Sequence, residues 1–215
     1  MKAVFRRSLV LCLLLVAVGL ALTSCGTTTH TSGKDTRNKM LVSVRDQQML
    51  LLRDGKPVKS YPVSTSKYGV GSQPGSYRTP LGRMEIAKKI GEGQPEGMVF
   101  KSRRPTGEVL APNAPGRDPI VSRILWLTGT EPHNTNTFRR LIYIHGTPEE
   151  WRLGRPASYG CIRMGMRDVV ELYNQVGEGA EVRILPGSLL QTQEGRDYAR
   201  DRARKADDLG LAARD

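Results

Sequence analysis

The feature that most limits how this chain can fold is a series of short apolar runs closed by turn signals. Lys39–Arg45 and Met49–Arg53 flank Asp46-Gln47-Gln48, and Asp54-Gly55 stands before Pro57–Ser64. Asp-Gly between apolar runs is a strong hairpin signal, so the domain is expected to begin as a β-meander. Leu81–Ile90, Pro119–Gly129 with its Ile124-Leu125-Trp126-Leu127 run, Leu141–Ile144 and Ala180–Leu185 read as further strands, with Trp126 in the core. Helical spacing is found in Arg167–Val176, where Val169, Val170, Leu172, Tyr173 and Val176 share a face and Gly177 stands ready to end it. Pro148-Glu149-Glu150-Trp151 reads as a short helix start. The fold class expected is mainly β: a β-rich α+β domain with one or two packed helices.

The rest of the 215 residues reads as appendages and loops around one domain. Residues 1–24 carry a basic start (Lys2, Arg6, Arg7) and the apolar stretch Leu9 to Leu22, too short for a comfortable membrane span. They are expected to be a signal peptide. Leu22-Thr23-Ser24-Cys25 resembles a bacterial lipobox, which implies a mature chain beginning at a lipidated Cys25. Gly26 in place of Asp favours the outer membrane, so a periplasmic, lipid-anchored protein is expected. Residues 25–38 then form a Thr/Ser/Gly-rich tether. Lys67–Thr79 is a Gly/Ser/Pro loop, and its glycine spacing does not match a nucleotide-binding turn. Gly91–Asp118 is a long Pro/Gly-rich loop, either an insertion or an active-site cover. Its Lys101, Arg103, Arg104 and Arg117 read as a solvated face, although they could meet acidic groups of a substrate. Glu131–Thr137 is polar loop with a solvated His133. Gly187–Asp215, with six Lys/Arg and six Asp/Glu, reads as a charged tail outside the core.

Charge and cysteine usage narrow the function. The formal net charge is +12, and removing the three cations of the leader leaves +9. A basic exported protein suits an acidic polymer. Nucleic acid is not expected as a partner, since export argues against it and no compact basic-aromatic module is visible. The three histidines are scattered and no Cys-x-x-Cys occurs, so neither a metal nor another cofactor is expected. Of three cysteines, Cys12 leaves with the leader, Cys25 takes lipid, and Cys161 stays unpaired in an oxidising compartment. An unpaired thiol there is a liability unless it has a use. Alone, it would read as a small buried core residue.

Cys161 lies in Ser158-Tyr159-Gly160-Cys161-Ile162-Arg163-Met164, sixteen residues after His145 of Ile144-His145-Gly146-Thr147. A thiol needs a base or a cation nearby to attack at neutral pH, and a histidine at a strand end would serve. Gly160 permits a tight turn with backbone N–H groups open to an oxyanion. Arg163 two residues on is expected to favour the thiolate, giving an accessible thiol of low pKa.

These two motifs resemble the signature of the L,D-transpeptidases, the YkuD-like cell-wall enzymes: His-Gly, a spacer, then Ser/Thr-His-Gly-Cys, an apolar residue and Asn or Arg. The resemblance covers about residues 39–186 and includes Arg78-Thr79-Pro80-Leu81-Gly82, similar to the family's Thr-Pro-x-Gly turn. It implies a mixed β-sheet sandwich with Cys161 as nucleophile, His145 as general base and the Gly146 carbonyl orienting the imidazole. Ser158, Tyr159, Gly160 and Arg163 would shape the acyl site, with peptidoglycan stem peptides as substrates and a monomer as the expected state. Two departures stand out. Tyr159 replaces the usual His, and the spacer between His145 and Ser158 is 12 residues, shorter than is typical. The same residues leave open a related hydrolase, with water as acceptor, and an inactive wall-binding module.

Overall fold

A computed structural model describes residues 33–208. The expected signal segment, Cys25, most of the tether and the last seven residues of the tail lie outside the described residues.

Ten strands form one sheet. β1 (Asn38–Ser43), β2 (Gln48–Arg53) and β3 (Lys56–Ser64) make the expected meander, and Asp54-Gly55 turns β2 into β3. β4 (Gly82–Ile90), β7 (Ile120–Gly129), β8 (Tyr143–Gly146), β9 (Ile162–Met164) and β10 (Glu181–Leu185) follow the apolar runs seen in the sequence. The strand order is β4-β10-β1-β2-β3-β9-β8-β7, and β4 also pairs with β7, so these eight strands close on themselves. Closure leaves no free edge among them. Two neighbours run parallel, β1 with β10 and β8 with β9. The second of these pairs carries His145.

The core fills the inside of the closed sheet. Alternate residues point inward, as strand geometry requires: Met40 and Val42, Met49 and Leu51, Tyr61 and Val63. They meet Leu125 and Leu127 from β7 and Ile162 and Met164 from β9. Helix α1 (Met166–Gln175) follows β9 after one residue and adds Val169, Leu172 and Tyr173 to the same cluster. The expected β-rich fold with packed helices is what the chain adopts.

Two segments depart from expectation. Gly91–Asp118 is no open loop: β5 (Met98–Lys101) and β6 (Arg104–Val109) form a hairpin inside it. β5 pairs with Ile120 and Val121 at the start of β7, and Met98 and Phe100 pack with Ile124 and Tyr143. All of β6 is exposed, and its Pro and Gly hide the strand pattern. Lys101, Arg104 and Arg117 are exposed as expected, Arg117 in a surface pair with Glu108, whereas Arg103 turns inward.

The tail is also more than an appendage. A 3-10 turn (Leu189–Gln191) and helix α2 (Gln193–Asp208) cover the outer face of the meander. There Leu41, Leu50 and Leu52 are buried under Leu185, Leu189 and Tyr198. The Ser60 N–H donates to Tyr198 Oη at 3.1 Å. The unbroken run Met49-Leu50-Leu51-Leu52 is apolar on both faces, so the second face needs a cover, and the tail supplies it.

Candidate active site

Pairing of β8 and β9 brings the two sequence motifs together. Their parallel register sets His145 beside Arg163 and Ile144 beside Ile162. Side chains two apart on a strand share a face. Cys161 stands one residue before β9 and packs against Tyr143, two residues before His145 on β8. The opposite face, Ile144, Ile162 and Met164, is buried in the main core. The sheet therefore fixes His145 through backbone pairing and Cys161 through the adjoining residue Ile162, and the core behind them holds the strands in place. Gly146 is required by close approach, because a Cβ there would lie 2.7 Å from the Val121 carbonyl.

His145 is 6% exposed, and its Nδ1 lies 2.8 Å from the Gly146 carbonyl oxygen. A carbonyl only accepts, so Nδ1 carries the proton. Burial lowers the pKa of the imidazole, outweighing the Gly146 bond and the nearby Asp118 carboxylate, which both raise it. A neutral imidazole protonated at Nδ1 has its lone pair on Nε2. It can take a proton, and it remains able to do so below the ordinary histidine pKa, since the shift is downward.

The turn before β9 is held by hydrogen bonds. Ser158 Oγ donates to the Cys161 carbonyl at 2.6 Å, and the Gly160 N–H donates to Ser158 Oγ at 3.2 Å. Gly160 has φ +122°, a conformation L side chains rarely adopt. The Gly160 N–H is thus engaged within the turn, in contrast to the open oxyanion donor expected from the sequence.

The thiol differs from expectation more strongly. Cys161 is partly exposed, but its sulfur packs against the Met98, Phe100, Ile124 and Tyr143 cluster. Burial pushes its pKa up to about 11, against the Tyr143 N–H, Arg140 and Arg163, which all lower it. Sγ lies 3.5 Å from the Leu141 carbonyl, to which an S–H can donate. The resting site holds a neutral thiol and a neutral imidazole.

Arg163 explains part of this. It is 2% exposed, and its guanidinium is bonded to Asp118, to Glu149 at 3.2 Å and to Ser64 Oγ at 3.3 Å. Two carboxylates balance its charge, so little of it reaches the sulfur. Asp118 also accepts from Thr147 Oγ1 at 2.5 Å, tying the segment after β8 to the same cluster. The site is framed on its other side by the Lys67–Thr79 loop. Thr79 Oγ1 donates to the Gly160 carbonyl at 3.0 Å and accepts from the Ser66 N–H at 3.0 Å. Tyr159 is 61% exposed and points away from the core. Its ring meets Tyr68 and Tyr77 at centroid distances of 5.7 and 6.0 Å, and Lys67 Nζ lies 4.4 Å above it.

The model of the YkuD L,D-transpeptidase catalytic domain matches residues 37–184, more than half of the chain. The chain belongs to the YkuD family of L,D-transpeptidase catalytic domains. A Bacillus licheniformis protein named for the same family is 27% identical over 148 residues, 69% of this chain and 66% of that protein. Solved L,D-transpeptidases are similar at lower identity. The one from Mycobacterium smegmatis is 17% identical with a TM-score of 0.46, covering 69% of this chain and 58% of that one. The one from Xylanimonas cellulosilytica is 17% identical with a TM-score of 0.45, covering 71% and 62%. The chain thus spans less than two thirds of the length of these relatives.

Within this YkuD domain, the structure brings Cys161, His145, Gly146, Ser158, Gly160 and Arg163 into one site and turns Tyr159 to its rim. His133 stands elsewhere, with Nε2 3.2 Å from the Leu81 carbonyl at the start of β4. Trp126 is only half-buried: it stacks on Phe138 at 3.9 Å and packs edge-on against Tyr143 at 5.5 Å. Sequence reasoning missed Asp118, Glu149 and Arg140 as neighbours of the site, and gave Thr79 no contact with Gly160. Only the Thr79-Pro80 motif signalled any of them. A neutral resting thiol has a measurable consequence. Alkylation of Cys161 in the full chain by iodoacetamide, followed by peptide mass mapping, should accelerate about tenfold per pH unit from pH 7 to 10. A plateau between pH 7 and 8 would show a preformed thiolate and contradict the neutral pair.

Proposed function

We propose that this domain is a cysteine-dependent L,D-transpeptidase acting on peptidoglycan stem peptides. The observation that carries the reading is the imidazole of His145, held with its proton on Nδ1 and its lone pair on Nε2, on the strand whose Tyr143 packs against Cys161. The Cys161 sulfur attacks the carbonyl of the third residue of a tetrapeptide stem while its proton passes to Nε2. The oxyanion that forms collapses, and the bond to the fourth residue breaks. That residue leaves as an amine, taking the proton from His145. An acceptor amine then attacks the thioester, loses a proton to His145 and releases the thiol. Because both groups begin neutral, proton transfer accompanies attack, and burial that disfavours a resting thiolate also keeps the base ready. With the Gly160 N–H turned to Ser158, we assign the oxyanion contact to the Cys161 N–H, a donor of the kind that contributes about 3–4 kcal/mol.

Mass spectrometry of purified muropeptides incubated with the full chain tests this reading. New crosslinks, with loss of the fourth residue, are expected. Cys161→Ala and His145→Ala should each lower the rate on the order of 1,000-fold or more. Tripeptides without crosslinks would make the enzyme a hydrolase, and unchanged muropeptides would refute both.

We further propose that the domain works from a lipid anchor at Cys25, in the periplasm and at the outer membrane. The basic leader, the apolar run and Leu22-Thr23-Ser24-Cys25 support this, and the tether to β1 keeps the domain near its membrane. Metabolic labelling with palmitate should mark the protein, and Cys25→Ala should abolish the label. A label that survives the substitution would rule the anchor out.

A further inference from the structure

Beside the nucleophile sits a cation that the steps above leave without a task. Arg140 precedes Leu141, whose carbonyl lies 3.5 Å from Cys161 Sγ. Its guanidinium donates to the Gly71 carbonyl at 3.1 Å, to Ser76 Oγ at 3.3 Å and to the Arg78 carbonyl at 2.7 Å. That same Arg78 carbonyl lies 3.4 Å from where a Cβ on Gly160 would stand. The Arg78 carbonyl thus contacts the guanidinium on one side and comes close to Gly160 on the other. Three of the five N–H groups of Arg140 are engaged, and every acceptor is neutral.

The contrast with Arg163 sharpens the point. Arg163 is balanced by Asp118 and Glu149. Among the described residues, no acid pairs with Arg140. Burial disfavours its charge, and Cys161 would favour it only in its anionic form. A half-buried guanidinium facing only neutral oxygens is a costly thing to build, and its charge stays available to an incoming anion. Arginine, planar and bearing several donors, suits a carboxylate.

On the acyl-transfer reading, a donor brings a carboxylate to this spot. The leaving residue of a tetrapeptide ends in a free carboxylate, and covalent geometry places its oxygens about 4–5 Å from the attacked carbon. A donor longer by one residue places a neutral amide there and moves the charge about 3.5 Å further on. We propose that Arg140 binds the free C-terminal carboxylate of the leaving residue, and so selects peptide donors that end one residue past the bond to be broken. Arg140 is thereby a specificity-determining residue. The inference rests on the acyl-transfer reading of the same site.

The test uses the full chain and two synthetic muropeptide donors identical except at the end, one a free acid and one a carboxamide. The unaltered protein should prefer the acid by about 10- to 100-fold in kcat/KM, the size of a hydrogen bond to a charged group. Arg140→Gln should bring the two donors within about threefold of each other, through loss on the acid alone. Arg140→Met serves as the neutral variant if the glutamine form does not fold. Arg140→Lys keeps the charge and should keep part of the preference. Arg103, stacked over Trp126 at 5.0 Å and bonded to Tyr143 Oη at 3.4 Å, is another arginine without an acid partner among the described residues. Arg103→Gln should leave the preference intact. A preference that survives loss of the Arg140 charge, or disappears in Arg103→Gln instead, overturns the inference. So does an equal fall on both donors in all Arg140 variants, which would make Arg140 a staple of the 71–78 loop. An unaltered protein that handles both donors equally overturns the inference and leaves acyl transfer standing. One that handles neither removes the acyl-transfer reading, and the inference with it.

Discussion

The hydrogen bond that His145 Nδ1–H donates to the Gly146 carbonyl is the interaction on which the site depends. It fixes the tautomer, and with it the location of the lone pair. The bond needs the backbone to bring a residue's own neighbour within 2.8 Å of its ring, and the end of β8 provides that. β8 in turn is held between β7 and β9, so the orientation of one imidazole is inherited from the closed sheet. Gly146 can occupy its place only because it has no Cβ to meet the Val121 carbonyl. The orientation of the imidazole thus depends on the packing of the whole closed sheet.

A second consequence concerns charge. A buried thiol with cations near it has two opposing influences, and which one wins cannot be decided by listing neighbours. Here burial wins. Arg163 has its charge balanced by two carboxylates, and the guanidinium of Arg140 is tied to the Gly71 and Arg78 carbonyls and to Ser76 Oγ. The site rests uncharged at the two reacting groups, and of the two arginines near them only Arg163 is balanced by acids among the described residues. Such a site holds no resting thiolate, and it develops charge only as the bond to substrate forms.

Much of the fold was legible because its signals are local. Asp54-Gly55 marked the hairpin, apolar runs marked the strands of the ring, and the helical spacing of Val169, Leu172 and Tyr173 marked α1. The motifs around His145 and Cys161 were legible for the same reason. What was missed depends on partners distant in sequence. β6 is exposed throughout and has no alternation to read. Tyr198 and Leu189 look like residues of a charged tail until Leu41, Leu50 and Leu52 call for a cover. Arg163 looked like a free cation because Asp118 lies 45 residues before it in the chain. Thr79 and Arg140 reach the site through a loop whose glycines say only that it bends.

The neutral thiol–imidazole pair is the central claim, and the histidine half can be observed directly. Nitrogen-15 NMR of the full chain labelled in histidine reports the tautomer of His145, assigned by its loss in His145→Gln. Between pH 6 and 7 it should show a protonated Nδ1 and an unprotonated Nε2, with protonation only below the ordinary histidine range. An imidazolium signal at pH 7, with both nitrogens protonated, would contradict the account and return the site to a thiolate–imidazolium pair.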